Sequence, residues 1–187
     1  MTYTSLGLVT LLAAFIPAVA YSKPRPPDGW SPSVDGLRGR LVLTASQDAS
    51  HRPQLALAVE LENTSDSAAP LEISAGSPSQ MLKLTLEDEA GKPVERDMVG
   101  GNELTILPYT LALPVRSTLV MTVAPAAYEY VPSGLIMLRP FSFVAWDMPA
   151  RRTGKLYLRA TLAPVKPPAD GSRAWKGPLE LPRVPLP

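Results

Sequence analysis

The sequence predicts an all-β protein that folds as an antiparallel sandwich or barrel of short strands. Apolar and polar residues alternate with a period of two in several segments. After the first twenty residues, no window sustains a helical apolar stripe over ten residues. The 22 prolines recur along the chain and divide it into short elements, because proline fixes φ and removes a backbone donor. Short strands separated by frequent turns are typical of sandwiches and barrels.

The first twenty residues carry no charged side chain and predict a signal peptide. An apolar run at 6–16 is followed by Pro17 and by the small-x-small pattern Ala18-Val19-Ala20. A run of about 11–15 apolar residues is short for a membrane span, which needs about 20, but fits a signal-peptide h-region. We expect cleavage between Ala20 and Tyr21 and a periplasmic or secreted protein. Because residues 1–5 contain no Lys or Arg, an uncleaved N-terminal membrane anchor or an ordinary buried segment stays open.

The rest of the chain divides into a Pro-rich arm over residues 21–35 and one β-domain over residues 36–187. The arm contains four prolines and Trp30, whose ring could attach the arm to the domain. The domain is expected to contain about seven to nine short strands. Its C-terminal end is Pro-rich, and prolines at 182, 185 and 187 confine any strand there to an edge.

Three alternating segments, 54–63, 80–88 and 153–162, are the clearest strands. One face of each is apolar and the other carries most of the charge, so a slip of one residue would bury the charged face. The faces predicted to point inward are Leu55/Leu57/Val59/Leu61, Leu82/Leu84/Leu86 and Leu156/Leu158/Ala160/Leu162. An earlier strand over 36–45 alternates in the same way, with one imperfect position at Gly39.

The composition excludes several kinds of chemistry. The chain has no Cys, so disulfides, thiol catalysis and thiolate metal sites are excluded. Its single His, His51, excludes a paired-His metal motif and lies in a segment that we interpret as a solvated loop. The net charge of +1 excludes a strongly polycationic nucleic-acid binder. We therefore expect no catalytic residues, no metal, no cofactor and no nucleic-acid partner.

Two groups of carboxylates are candidates for a site. The cluster Glu87-Asp88-Glu89 falls at a predicted hairpin tip, and we interpret it as a solvated turn, with a weak cation site as the alternative. Glu60 and Glu62 lie on the polar face of a strand. A glycosidase would need a facing carboxylate across a cleft, so a hydrolase is kept only as an alternative.

Aromatic residues offer the candidate binding surface. Tyr128 and Tyr130 share one side of an extended segment and, with Trp146, could form a ligand-binding platform. Packing in the core or at its rim is the alternative. Separately, Asn63-Thr64-Ser65 has the pattern of an N-glycosylation site, which matters only in a glycosylating host.

Five segments carry a resemblance to a known family. They are W-x-x-x-V-D-G-L at 30–37, E-L-E-N-T-S-D at 60–66, D-E-A-G-K-P-V at 88–94, G-K-L-Y-L-R-A-T-L at 154–162 and W-K-G-P-L-E-L at 175–181. Over roughly residues 30–182 the chain resembles immunoglobulin-like β-sandwich domains of bacterial exported proteins, loosely including the BsuPI-type proteinase-inhibitor group. The resemblance implies an immunoglobulin-like β-sandwich. Leu156 stands where the family's late motif has an aromatic residue, and no inhibitory loop maps onto the chain.

These observations predict a non-enzymatic exported protein with a binding or structural role in the cell envelope. Its partner would be an unidentified protein or envelope component. A proteinase-inhibitor-like module and a carbohydrate-binding module are the alternatives. A resemblance of fold is weak support for an activity, because one fold carries many functions.

Overall fold

A computed structural model describes residues 29–47, 49, 53–95, 97–98, 106–124, 128–130, 135–141, 144–149, 154–166 and 174–187. The expected signal peptide, its cleavage site between Ala20 and Tyr21, and His51 lie outside these residues. The described part consists almost entirely of strands, with one four-residue helix. The all-β class predicted by the alternating pattern is therefore confirmed.

Twelve strands and one helix occur in the described residues, which exceeds the seven to nine strands expected. They are β1 (Leu37–Gln47), β2 (Pro53–Asn63), β3 (Leu71–Ala75), α1 (Pro78–Met81), β4 (Leu82–Glu87), β5 (Asp97–Met98), β6 (Tyr109–Leu113), β7 (Thr118–Ala124), β8 (Tyr128–Tyr130), β9 (Leu135–Phe141), β10 (Val144–Pro149), β11 (Tyr157–Leu162) and β12 (Leu179–Pro185). The excess arises because strands such as β5, with two residues, and β8, with three, are too short to show an alternating pattern.

The strands form four antiparallel sheets in the described part of the chain. Their orders are β1-β2-β7, β3-β6, β12-β11-β4 and β5-β10-β9-β8. β1 and β2 are the longest strands and pair over their full lengths, from Leu37 opposite Asn63 to Gln47 opposite Pro53. One cluster of buried apolar residues draws on all four sheets, so the sheets share a single core.

The predicted inward faces are confirmed by their burial. All four apolar residues of β2, all three of β4, and the last three of β11 are buried, while Leu156, which precedes β11, is partly buried. Each fully buried side chain of this size contributes about 1.5–3 kcal/mol relative to exposure. This burial fixes the register of β2, because Glu60 and Glu62 occupy the alternate positions and a slip of one residue would bury them.

Gly39 explains the imperfect position in the first strand. It lies between Leu37 and Leu41 on the buried face of β1. A Cβ at this position would lie 2.8 Å from Cδ2 of Leu181 on β12 and 3.0 Å from Cδ2 of Leu61 on β2. The absence of a side chain is therefore what allows β12 to pack closely against β1.

The end of the Pro-rich arm is attached to the outer face of β1. Trp30 is 8% exposed, and its ring centroid lies 4.9 Å from Cζ of Arg38 and 4.7 Å from Cζ of Arg40. The backbone N–H of Ser31 donates a hydrogen bond to the carbonyl of Gly39 at 2.8 Å. Stacked guanidinium groups and the backbone contact thus hold this segment along the strand.

Candidate functional site

The turn between β6 and β7 is the starting point of the site. The N–H of Ser117 donates to the carbonyl of Pro114 at 3.2 Å, and Arg116 adopts a positive φ of 57°. Asn63, which is fully buried, ties this turn to the end of β2. Its Nδ2 donates to the carbonyl of Leu113 at 2.8 Å, and its backbone N–H donates to the carbonyl of Ser117 at 3.1 Å. The turn is therefore held in one position.

The two strands that leave this turn do not pair with each other. Within the described residues, β6 pairs with β3 and β7 pairs with β2, which places neighbouring strands in different sheets. They diverge and leave an apolar cavity of about 190 Å³ between them. We call it the β6–β7 groove, and it is lined by Leu61, Ile73, Ala75, Met81, Tyr109, Leu111, Leu119, Val120 and Met121.

The β6–β7 groove is apolar and reaches the surface. None of its lining residues carries a charge. Tyr109 is 50% exposed and Val120 is 59% exposed, and Ile106 and Leu107 are exposed just before β6. These four are the large hydrophobic residues that stand exposed in the part of the chain described. Exposed apolar surface is a common feature of interaction sites.

Trp146, one of the aromatic residues singled out in the sequence, does not line this groove. Trp146 is 1% exposed, and it stands opposite Leu138, which is fully buried. Trp146 therefore contributes to the core and does not present its ring to solvent. Tyr128 also pairs with Leu138, and Tyr130 pairs with Ile136, but the side chains of both tyrosines lie outside the described part of the structure.

The acidic cluster is not wholly the solvated turn that the sequence predicts. Glu87 ends β4 opposite Tyr157 and is only 7% exposed. Its Oε1 lies 3.6 Å from a guanidinium nitrogen of Arg159 on the neighbouring strand. Asp88 does belong to the turn, where its Oδ1 accepts a hydrogen bond from the N–H of Lys92 at 2.9 Å. Glu87 is buried because it belongs to the strand, where its backbone is flanked by Tyr157 of β11 on one side and by Pro93 on the other.

The other candidate carboxylates are also engaged in ion pairs. Oε2 of Glu60 lies 2.6 Å from Nε of Arg40, and Oε2 of Glu62 lies 2.7 Å from a guanidinium nitrogen of Arg38. Both pairs join β1 to β2, directly across the register of the two strands. No group of three or more His, Asp or Glu residues in the described ranges is placed to hold a metal ion.

One feature of the sequence, other than the alternation of apolar and polar residues, indicates the groove. Residues 104–115 carry no charge, although they end at an exposed turn. The burial of Asn63 could not be predicted from the sequence, because Asn63 is the first residue of a cluster of turn-forming residues.

Comparison of the chain with protein-family models, curated proteins and solved structures gives no match. Among the described residues, no helix has the length and apolar character needed to cross a bilayer. The β6–β7 groove is therefore the feature from which a candidate function is derived.

Proposed function

We propose that this protein is an exported, non-enzymatic binding protein with an immunoglobulin-like β-sandwich fold, and that it captures an apolar partner in the β6–β7 groove. The single observation that carries the proposal is the charge-free groove with exposed apolar residues at its mouth. The uncharged, apolar N-terminal run supports export to the periplasm or the exterior.

The size of the groove supports binding of a group about as large as an apolar side chain. Its volume of about 190 Å³ exceeds that of an engineered apolar cavity of about 150 Å³ that binds benzene. Full burial of one such side chain is worth about 1.5–3 kcal/mol. Several contacts at the exposed rim would add to this, so the partner presents more than one apolar group.

The alternative functions receive less support from the described residues. A carbohydrate-binding platform built on Trp146 is disfavoured, because this ring is buried. A hydrolase that uses Glu60 or Glu62 is disfavoured, because each carboxylate is paired with an arginine. A proteinase-inhibitor-like module stays an expectation of the fold resemblance.

A neutral apolar dye, N-phenyl-1-naphthylamine, tests binding in the groove. We expect saturable fluorescence enhancement with the unmodified protein. Tyr109→Lys places a charge at the groove and should weaken binding by about tenfold or more, since Tyr109 lines the groove and is only half exposed. Thr122→Lys is the matched control, since Thr122 is exposed and does not line the groove.

Two outcomes would overturn the proposed binding site. One is fluorescence that rises without saturation, which indicates non-specific partitioning. The other is an equal effect of the two lysine variants, both of which should keep the unfolding midpoint of the parent protein.

Export is tested by the intact mass of the protein recovered from a Gram-negative host expressing the full sequence. A mature chain beginning at Tyr21 in the periplasmic fraction is expected. Retention of Met1 in the membrane fraction would instead indicate an N-terminal anchor.

A further inference from the structure

The geometry points to the identity of the occupant: we infer that the β6–β7 groove binds an extended apolar segment of another protein, which adds as a β-strand along the edge of β6 and ends in a carboxylate. This inference rests on the proposed function, because it concerns the same groove. It adds that recognition uses the backbone of the partner as well as its side chains.

One edge of β6 carries backbone N–H and C=O groups that pair with no described strand. In β3, the carbonyl of Glu72 accepts a hydrogen bond from the N–H of Trp175 at 2.7 Å, and the carbonyl of Ser74 accepts one from the N–H of Val165 at 3.0 Å. The backbone groups of Glu72 and Ser74 therefore point away from β6. In an antiparallel pair, alternate residues exchange both hydrogen bonds. The register therefore directs the N–H and C=O groups of Thr110 and Ala112, opposite Ser74 and Glu72, away from β3. No other described strand pairs with this edge of β6.

The side chains of β6 lack the usual protection of an edge strand. Exposed edges are normally protected by charges, bulges or prolines. No residue between 106 and 113 is charged, and β6 itself contains no proline but is flanked by Pro108 and Pro114. The five residues between them form a short uncharged edge. An incoming strand would pair with this edge and place alternate side chains against the apolar groove.

Charge at the closed end of the groove favours a partner that carries a carboxylate. Arg116 is exposed in the turn and forms no ion pair with a described residue. A segment whose apolar residues end in a C-terminal carboxylate or an acidic side chain would complement this cation.

A second copy of the chain fits the groove less well. Symmetric antiparallel pairing of two β6 edges would bring residues 106–109 of one copy, which include no acid, toward Arg116 of the other. The partner is therefore a different protein.

Synthetic peptides test strand addition directly. The probe is a fluorescein-labelled peptide, Lys-Thr-Leu-Thr-Phe-Thr-Leu-Thr, with a free C-terminal carboxylate. Two isomers carry three backbone N-methyl groups each, one on the first three Thr residues and one on the three apolar residues. Each isomer loses the N–H groups along one edge of the strand. Fluorescence anisotropy measures the binding of all three to the full chain.

Strand addition predicts that one isomer binds like the parent peptide and the other binds about tenfold more weakly or worse, since only one edge pairs with β6. The C-terminal amide should bind several-fold more weakly than the acid, and Arg116→Gln should abolish this difference. Tyr109→Lys should weaken binding of the parent peptide, whereas Thr122→Lys should not.

The inference would be overturned if both N-methyl isomers bound like the parent, or if no peptide bound while the neutral dye still saturated the groove. The proposed function would survive either result. Failure of both the dye and the peptides would remove the proposed function as well. Self-association in sedimentation velocity that the parent peptide competes away would identify a second copy as the occupant and would likewise overturn the inference.

Discussion

Replacement of Gly39 by Ala is expected to destabilise the fold, although Ala is ordinarily the better residue in a strand. The new Cβ would lie 2.8 Å from Leu181 Cδ2, 3.0 Å from Leu61 Cδ2 and 3.2 Å from the carbonyl oxygen of Glu60. Both leucines are almost fully buried, so their methyl groups cannot swing into solvent. The carbonyl belongs to the paired backbone of β2 and has even less freedom to move.

The size of the effect follows from two opposing contributions. Overpacking of a buried site costs about 1–3 kcal/mol. Relief of the unfavourable backbone entropy of Gly returns about 0.5–1 kcal/mol. Gly39→Ala should therefore lower the free energy of unfolding by about 1–2 kcal/mol, measured by urea denaturation followed by Trp fluorescence.

A second substitution separates steric crowding from other causes. Leu181→Val shortens the side chain that approaches Gly39 most closely, so the cost of Gly39→Ala should be smaller in the Leu181→Val background. The coupling between neighbouring sites of this kind is about 0.5–3 kcal/mol. A neutral or stabilising Gly39→Ala, or an equal cost in both backgrounds, would refute the reasoning about close packing of β1 and β12.

Four further substitutions and one treatment test other parts of the structure. Leu57→Ala should lower the free energy of unfolding by about 2–5 kcal/mol, because it removes a fully buried side chain. Glu60→Ala should lower it by no more than about 1 kcal/mol, because it removes only a partly exposed ion pair. Asn63→Ala should cost about 1–3 kcal/mol in the same urea assay, since it leaves the carbonyl of Leu113 without its donor. Trp30→Ala should make the arm more sensitive to limited proteolysis, while the N-terminal residue of the resistant core shifts beyond position 30. Addition of EDTA should leave the melting temperature unchanged, and a fall of several degrees would contradict the expected absence of a metal.

The apolar faces of β2, β4 and β11 could be predicted because alternation depends only on local sequence and on which face meets water. Strand pairing across the molecule is not local, and the groove depends on it. β6 and β7 are joined by a short turn that, by itself, indicates a hairpin, yet they pair with β3 and β2. A prediction based on the turn alone therefore pairs β6 with β7 and misses the gap between them.

The burial of particular polar and aromatic residues also could not be predicted from local sequence patterns. Glu87 is buried where its strand is flanked by Tyr157 and Pro93, and Trp146 is buried because β10 pairs with the buried part of β9. Both facts require the register between strands that are distant in sequence. The cross-strand pairs of Arg38 with Glu62 and of Arg40 with Glu60 show the same limit, since they join residues 24 and 20 positions apart.

The burial of Asn63 has a consequence for production of the protein. The amide nitrogen to which a glycan would be attached is already bonded to the carbonyl of Leu113, and its Oδ1 accepts hydrogen bonds from the N–H and Oγ of Ser65 at 2.9 and 2.7 Å. The Asn63-Thr64-Ser65 acceptor can thus be modified only before the chain folds, and a sugar there could not be accommodated afterwards. In a eukaryotic secretory host, oligosaccharyl transfer and folding would compete for the same side chain, and the glycosylated fraction would be the misfolded one.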